Sequence, residues 1–167
     1  MCSIFRELFV VDSERAREFF LENLRETVGA KKHREDEIVY VAGVLAHYTL
    51  VSRFQTGSMP VMADLSEVFD SFILRQGGVS DPEIFEIGGS QVLLFAGFFR
   101  DQMRHRHNVE WYDEIGQSLY YRASRFSRSS EKQKLFDCLS ESFPSWTLAA
   151  CNMSRMLRQS QFLLRLN

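Results

Sequence analysis

Side chains that could bind a metal are concentrated in one segment, which begins at Asp101. Asp101 and His105 are four residues apart, so on a helix both would project from the same face. Glu110 follows closely, and carboxylate and imidazole groups are common metal ligands. One hypothesis is therefore a metal site at Asp101, His105 and Glu110. In this hypothesis the chain is a metal-binding protein or an enzyme that uses the region of His105, Glu110 and Asp113.

Three arginines in the same segment argue against a metal. Arg100, Arg104 and Arg106 would repel a cation bound among them. Neither an HExxH motif nor a pair of ExxH motifs is present, and His107 would point away from His105 on a helix. The segment is better explained as a solvated helix end, where cationic side chains complement the helix dipole.

Residues for nucleophilic catalysis are present, but they form no recognisable motif. Such catalysis needs a Ser or Cys, a base and an orienting acid brought together. Cys138 and Cys151 have no nearby histidine in the sequence, and no GxSxG occurs. The glycine pairs 77–78 and 88–89 match neither GxGxxG nor GxxxxGK[ST]. The sequence therefore predicts no catalytic residue and no cofactor.

A basic and aromatic cluster extends from Arg104 to Arg128, which raises nucleic-acid binding as a second alternative. Acidic residues such as Glu110 and Glu114 interrupt the cluster, and the net charge of −2 provides no global attraction for phosphates. A contact surface for a protein partner explains the exposed rim better. The residues expected to form this interaction surface are Arg104, Arg106, His107, Glu110 and Asp113. No membrane partner is expected.

The composition is that of a globular helical protein. Fifteen Phe and two Trp supply enough apolar surface for a packed core, which argues against disorder. The chain has only three Pro and nine Gly, which are few for a turn-rich β sandwich. The length of 167 residues suits one domain, 1–167.

The cysteines and the apolar segments predict a cytoplasmic location. Cys2, Cys138 and Cys151 are far apart and form no CxxC pair, as expected of reduced thiols. The N-terminus lacks the features of a signal peptide. The longest nearly uncharged run, 38–52, is about 15 residues long, whereas a membrane helix needs about 20.

Hydrophobic periodicity predicts an all-α fold, an irregular bundle of six to seven helices. Asn108 and Ser130 are expected to cap two helices, Ser90 is expected to cap another after the Gly88–Gly89 pair, and Pro144 is expected to begin the last. Segments 38–54 and 92–103 are expected to form the central pair. The predicted helices span 3–29 with a break near 12–13, 38–54, 61–75, 90–106, 109–126, 130–143 and 144–166.

Several short motifs resemble those of a family of uncharacterised bacterial helical proteins. The family pattern has YVA.LLA, then LFLAGFF, then YY..IG...Y. The matching residues here are Tyr40-Val41-Ala42, Leu45-Ala46, Gly89, Leu94-Phe95-Ala96-Gly97-Phe98-Phe99, Tyr112, Ile115-Gly116 and Tyr120. The resemblance implies a bacterial, all-helical, cytosolic domain, and it carries no known activity.

The leading expectation is a non-enzymatic binding or regulatory domain with a protein partner. A homodimer remains open, because the apolar block 92–99 reaches two adjacent sides of its predicted helix.

Overall fold

A computed structural model of the chain describes residues 13–28, 33–54, 81–105 and 108–159. All regular elements in these ranges are helical and none is a strand, which confirms the all-α prediction. The elements are α1 (Ser13–Val28), α2 (Glu35–Phe54), α3 (Pro82–Leu93), a π-helical segment (Leu94–Phe98), α4 (Arg100–Met103), α5 (Val109–Phe126) and α6 (Ser130–Gln159). The predicted helix 61–75 and the predicted helical ends 3–12 and 160–166 lie outside the described residues. Within the described ranges, every helix is too short or too polar to span a bilayer.

The chain divides into two compact units. The first comprises Met1–Met59 with Ala149–Asn167, and the second comprises Pro60–Leu148. The single domain predicted for 1–167 and the central pairing of 38–54 with 92–103 stay predictions.

Helices α1 and α2 pack against each other in the first unit. Their apolar residues recur every three to four positions, so each helix presents one continuous buried face. The buried residues include Ala16, Phe20, Leu24, Val41, Ala42 and Leu45.

Helices α3 and α5 pack together in the second unit, with the part of α6 that ends at Leu148. The fully or almost fully buried residues here include Phe85, Val92, Leu93, Leu119, Tyr120, Ala123, Phe136, Phe143 and Trp146.

The N-cap of helix α3 lies nine residues before the predicted Ser90 cap. Asp81 is the N-cap, its Oδ1 accepting a hydrogen bond from Glu83 N at 3.0 Å, and Pro82 occupies the first helical position. The helix continues through Gly88 and Gly89. A Cβ on Gly89 would lie 3.0 Å from the Tyr120 ring, so this glycine allows α3 and α5 to approach closely rather than ending a helix.

A π-helical segment interrupts the predicted helix 90–106. The amide of Phe99 donates to Leu94 O at 3.2 Å, which is an i to i+5 hydrogen bond. All five residues of the segment are buried. The second apolar side proposed above as a subunit interface is therefore inside the protein.

Helix α6 is one helix rather than the two predicted. Pro144 lies inside it, although an interior proline costs about 3 kcal/mol. Phe143, Trp146 and Thr147 are completely buried around it, and the packing of these residues offsets that cost. The cap is Ser129 rather than Ser130, since Ser129 Oγ accepts from Lys132 N at 3.4 Å. The predicted Asn108 cap of α5 is confirmed, with Asn108 Oδ1 accepting from Trp111 N at 3.4 Å.

Candidate functional site

The predicted interaction residues do not all share one exposed surface. Arg104 and Glu110 are exposed, but Asp113 is buried. Arg106 and His107 lie outside the described residues. The predicted rim therefore loses Asp113, which turns into the core of the second unit.

The three candidate metal ligands also differ in their exposure to solvent. His105 and Glu110 are exposed, whereas Asp101 is half-buried on α4. Across the residues that the structure describes, no group of three or more His, Cys, Asp or Glu side chains could hold a metal ion.

Asp113 instead forms an ion pair with Arg100. Arg100 Nη1 lies 3.3 Å from Asp113 Oδ1 and 3.2 Å from Oδ2, and Nη2 lies 3.2 Å from Oδ2. Both side chains are largely withdrawn from solvent, at 14% and 10% exposed. This fork-like geometry fixes the start of α4 against α5.

Thr147 of α6 completes the network. Its Oγ1 lies 2.9 Å from Asp113 Oδ1, 3.0 Å from Pro144 O and 3.2 Å from Arg100 Nη1. Arg100 Nη1 also donates to Ala96 O in the π-helical segment at 3.1 Å. The π-helical segment, α4, α5 and α6 therefore all contribute to one polar network.

Burial raises the pKa of Asp113 above its ordinary value of 3.8. The hydrogen bond from Thr147 and the positive charge of Arg100 oppose that increase, while the nearby carboxylate of Glu110 adds to it. The pKa of Asp113 is thus set by two opposing effects, desolvation, which raises it, and pairing with Arg100 and Thr147, which lowers it.

The network is closed to a substrate. Each carboxylate oxygen of Asp113 already accepts two hydrogen bonds, and Thr147 is completely buried. An Asp–Thr pair could activate a hydroxyl nucleophile only if a substrate could reach it. The arrangement is suited to joining helices, and sequence reasoning missed it because Thr147 lies 34 residues from Asp113.

Two further contacts occupy the same inner side of α5. Ser90 Oγ and Tyr120 Oη form a buried hydrogen bond of 3.2 Å. Gly116 faces the Phe143 ring so closely that a Cβ would lie 2.0 Å from it. The inner side of α5 is therefore filled by specific neighbours.

The residues on the opposite side of α5 are exposed or half-buried, and we call this side the outer face. It consists of Glu110, Trp111, Glu114, Ile115, Ser118, Tyr121, Arg122, Arg125 and Phe126. Three aromatic side chains keep much of their surface in water: Trp111 is 39% exposed, Tyr121 48% and Phe126 44%.

Arginines stack beside the aromatic rings of the outer face. Arg125 lies 5.1 Å from the centre of the Tyr121 ring, and its Nε donates to Tyr121 Oη at 3.1 Å. Arg122 lies 5.8 Å from the centre of the Phe85 ring, which itself stacks on Phe126 at 5.8 Å. These contacts hold the arginines in place on the surface.

A shallow groove lies at the end of the outer face, where Phe126 forms one wall. Its volume is about 560 Å³, and its charged lining residues are Asp81, Glu83, Glu86, Arg128 and Lys132. Lys132 Nζ is paired with Glu86 Oε2 at 3.4 Å, so charges of opposite sign largely cancel in the groove.

No family model, curated protein or solved structure matches this chain.

Proposed function

We propose that this protein is a non-enzymatic binding domain that recognises a protein partner through the outer face of α5. The observation that carries the proposal is the exposure of Trp111, Tyr121 and Phe126 along one side of a single helix, with arginines between them. Aromatic residues and arginine are the residue types enriched in protein interfaces and in their energetic hot spots.

The closed network at Asp113 supports a binding role over catalysis. Its titratable groups are committed to one another, and Thr147 has no surface in solvent. A metal-dependent activity is the weaker alternative, because His105 and Glu110 are exposed on either side of residues 106–107 and have no third ligand among the described residues.

Nucleic-acid binding by the Arg104–Arg128 face is also weaker. Glu110 and Glu114 lie on the same face of α5 as Arg122 and Arg125. Carboxylates there would repel the phosphates that dominate affinity for nucleic acids. A protein surface can instead use both signs of charge.

We further propose that the protein acts in the cytoplasm and belongs with the uncharacterised bacterial helical proteins that it resembles. Cys138 and Cys151 carry thiols rather than disulfides, as is usual in a reducing compartment.

Site-specific photo-crosslinking in cells tests the proposed surface. A photoreactive amino acid replaces Ser118 at the centre of the outer face, or Lys134, an exposed residue of α6, as the matched control. We expect a discrete protein crosslink from position 118 that position 134 does not give.

The partner protein identified by the crosslink is then purified, and its binding to this chain is measured by titration calorimetry. Replacing Tyr121 and Phe126 by Ser should weaken binding at least about tenfold, since truncating interface aromatics costs 1–2 kcal/mol or more. Leu148→Ser, which changes an equally exposed apolar residue on α6, should leave the affinity unchanged. Equal crosslinking from both positions, or salt-sensitive binding to mixed oligonucleotides alone, would overturn the proposal.

A further inference from the structure

We infer that the outer face of α5 binds a second copy of this chain, with the two α5 helices antiparallel around a two-fold axis. The inference rests on the proposed function, and it specifies the partner. It depends on how charge is distributed along the face. Glu110 and Glu114 are its only charged residues before Ser118, and Arg122 and Arg125 are its only charged residues after it.

The spacing of these charges is symmetric about Ser118. Glu114 and Arg122 each lie four residues from it, about 6 Å along the helix axis in opposite directions. Trp111 and Arg125 each lie seven residues from it, about 10.5 Å away. A two-fold axis beside Ser118 therefore brings the acidic half of each face level with the basic half of the other.

The aromatic residues fit the same arrangement. Trp111 of one copy lies level with Arg125 of the other, so each end of the contact combines an aromatic residue with a cationic one. Arg125 is already held by Tyr121 in the single chain, so little side-chain freedom is lost on association. Ser118 is small and exposed at the crossing point, so the helices can approach closely there.

Parallel packing of the two helices would have the opposite effect. It would place Glu114 near its own copy and Arg122 near its own copy, and like charges facing each other in an interface are repulsive. The charge order thus selects one relative direction for a second copy.

Sedimentation velocity of the full-length protein over a range of concentrations tests the inference. The contact involves one helix per chain, so we expect a weak dimer that forms between roughly 1 and 500 μM. One variant carries Glu110→Lys and Glu114→Lys, which makes the face wholly basic. A second carries Arg122→Glu and Arg125→Glu, which makes it wholly acidic.

Each variant alone should associate at least tenfold more weakly than the wild type, and an equimolar mixture of the two should form a heterodimer. The matched control, Lys134→Glu with Glu141→Lys, reverses two exposed charges on α6 and should dimerise like the wild type. Circular dichroism checks that every variant is folded.

The outcomes separate the inference from the proposed function. A wild-type protein that stays monomeric, or a dimer that persists in both face variants, would overturn the second copy as partner. If the monomeric protein still crosslinks to a different protein from position 118, the proposed function stands without the inference. If neither crosslink nor dimer depends on the face, both fail.

Discussion

The two sides of helix α5 use similar residue types for different purposes. On the inner side, Asp113, Gly116 and Tyr120 each contact a specific buried neighbour. On the outer side, Tyr121 and Arg125 contact each other and both remain exposed to solvent. An acid, an arginine and a hydroxyl group within hydrogen-bond distance suggest chemistry, yet here they join helices. The side without such a constellation is the one that remains exposed, and it is the side for which we propose binding.

Replacing Arg100, on the inner side, should lower the free energy of unfolding more than any other change described below. Arg100→Met leaves the Asp113 carboxylate buried without its counter-charge, and we expect a loss of about 3 kcal/mol in the free energy of unfolding at pH 7. Urea denaturation measures it. The loss should shrink under acid conditions, where Asp113 is protonated. A loss below 1 kcal/mol would mean that the network contributes little to stability.

Filling the space at Gly116 should have the next largest effect. Gly116→Ala places a Cβ within 2.0 Å of the buried Phe143 ring, so we expect about 2 kcal/mol of destabilisation from overpacking. Gly43→Ala is the matched control, because its Cβ would have no neighbour within 4 Å and alanine favours helix by about 0.5–1 kcal/mol.

A smaller residue at position 143 should relieve the Gly116→Ala clash. The double change Gly116→Ala with Phe143→Leu should therefore destabilise less than the sum of the single changes. Additive effects in urea denaturation would show that the two positions are not in close contact.

Asp113→Asn tests the balance at the carboxyl group. Because the folded pKa is raised, the folded chain binds more protons than the unfolded chain between pH 3.8 and that raised value. Stability from this group is complete below pH 3.8 and decreases as pH rises through the folded pKa. Urea midpoints from pH 3.5 to 7 should show the wild type losing stability relative to Asp113→Asn. The opposite trend would mean that pairing with Arg100 outweighs desolvation.

Tyr121→Ser should have the smallest effect on stability. Its side chain is 48% exposed, and surface substitutions usually change the free energy of unfolding by less than about 0.5 kcal/mol. Association should nevertheless weaken. If urea denaturation showed a loss of unfolding free energy comparable to that of Arg100→Met, the division between the two sides of α5 would be wrong.

The sequence predicts the features of this fold that depend on local chemistry. The Asn108 cap follows from an acceptor placed three residues before the amide that it binds, and the all-α class follows from hydrophobic periodicity. These interactions involve neighbouring residues, so their pattern is visible in a single sequence.

The features that sequence reasoning missed depend on distant residues. Gly89 looked like a helix boundary, but it faces Tyr120, and Pro144 looked like a helix start, but buried neighbours on both sides keep α6 continuous. Asp113 was assigned to the surface because neither Arg100 nor Thr147 could be placed beside it from spacing alone. The basic and aromatic cluster from Arg104 to Arg128 is visible in the sequence, but its division into an exposed and a buried side of α5 depends on what the inner side contacts.

The i to i+5 bond between Leu94 and Phe99 also sets the phase of the chain that follows it. A π turn contains one residue more than an α turn, and every later side chain on that helix is rotated accordingly. Deleting one residue from 94–98 would restore ordinary α-helical bonding and improve local geometry. It would also turn Arg100 away from Asp113, so the number of residues in this segment matters as well as the apolar side chains that it buries.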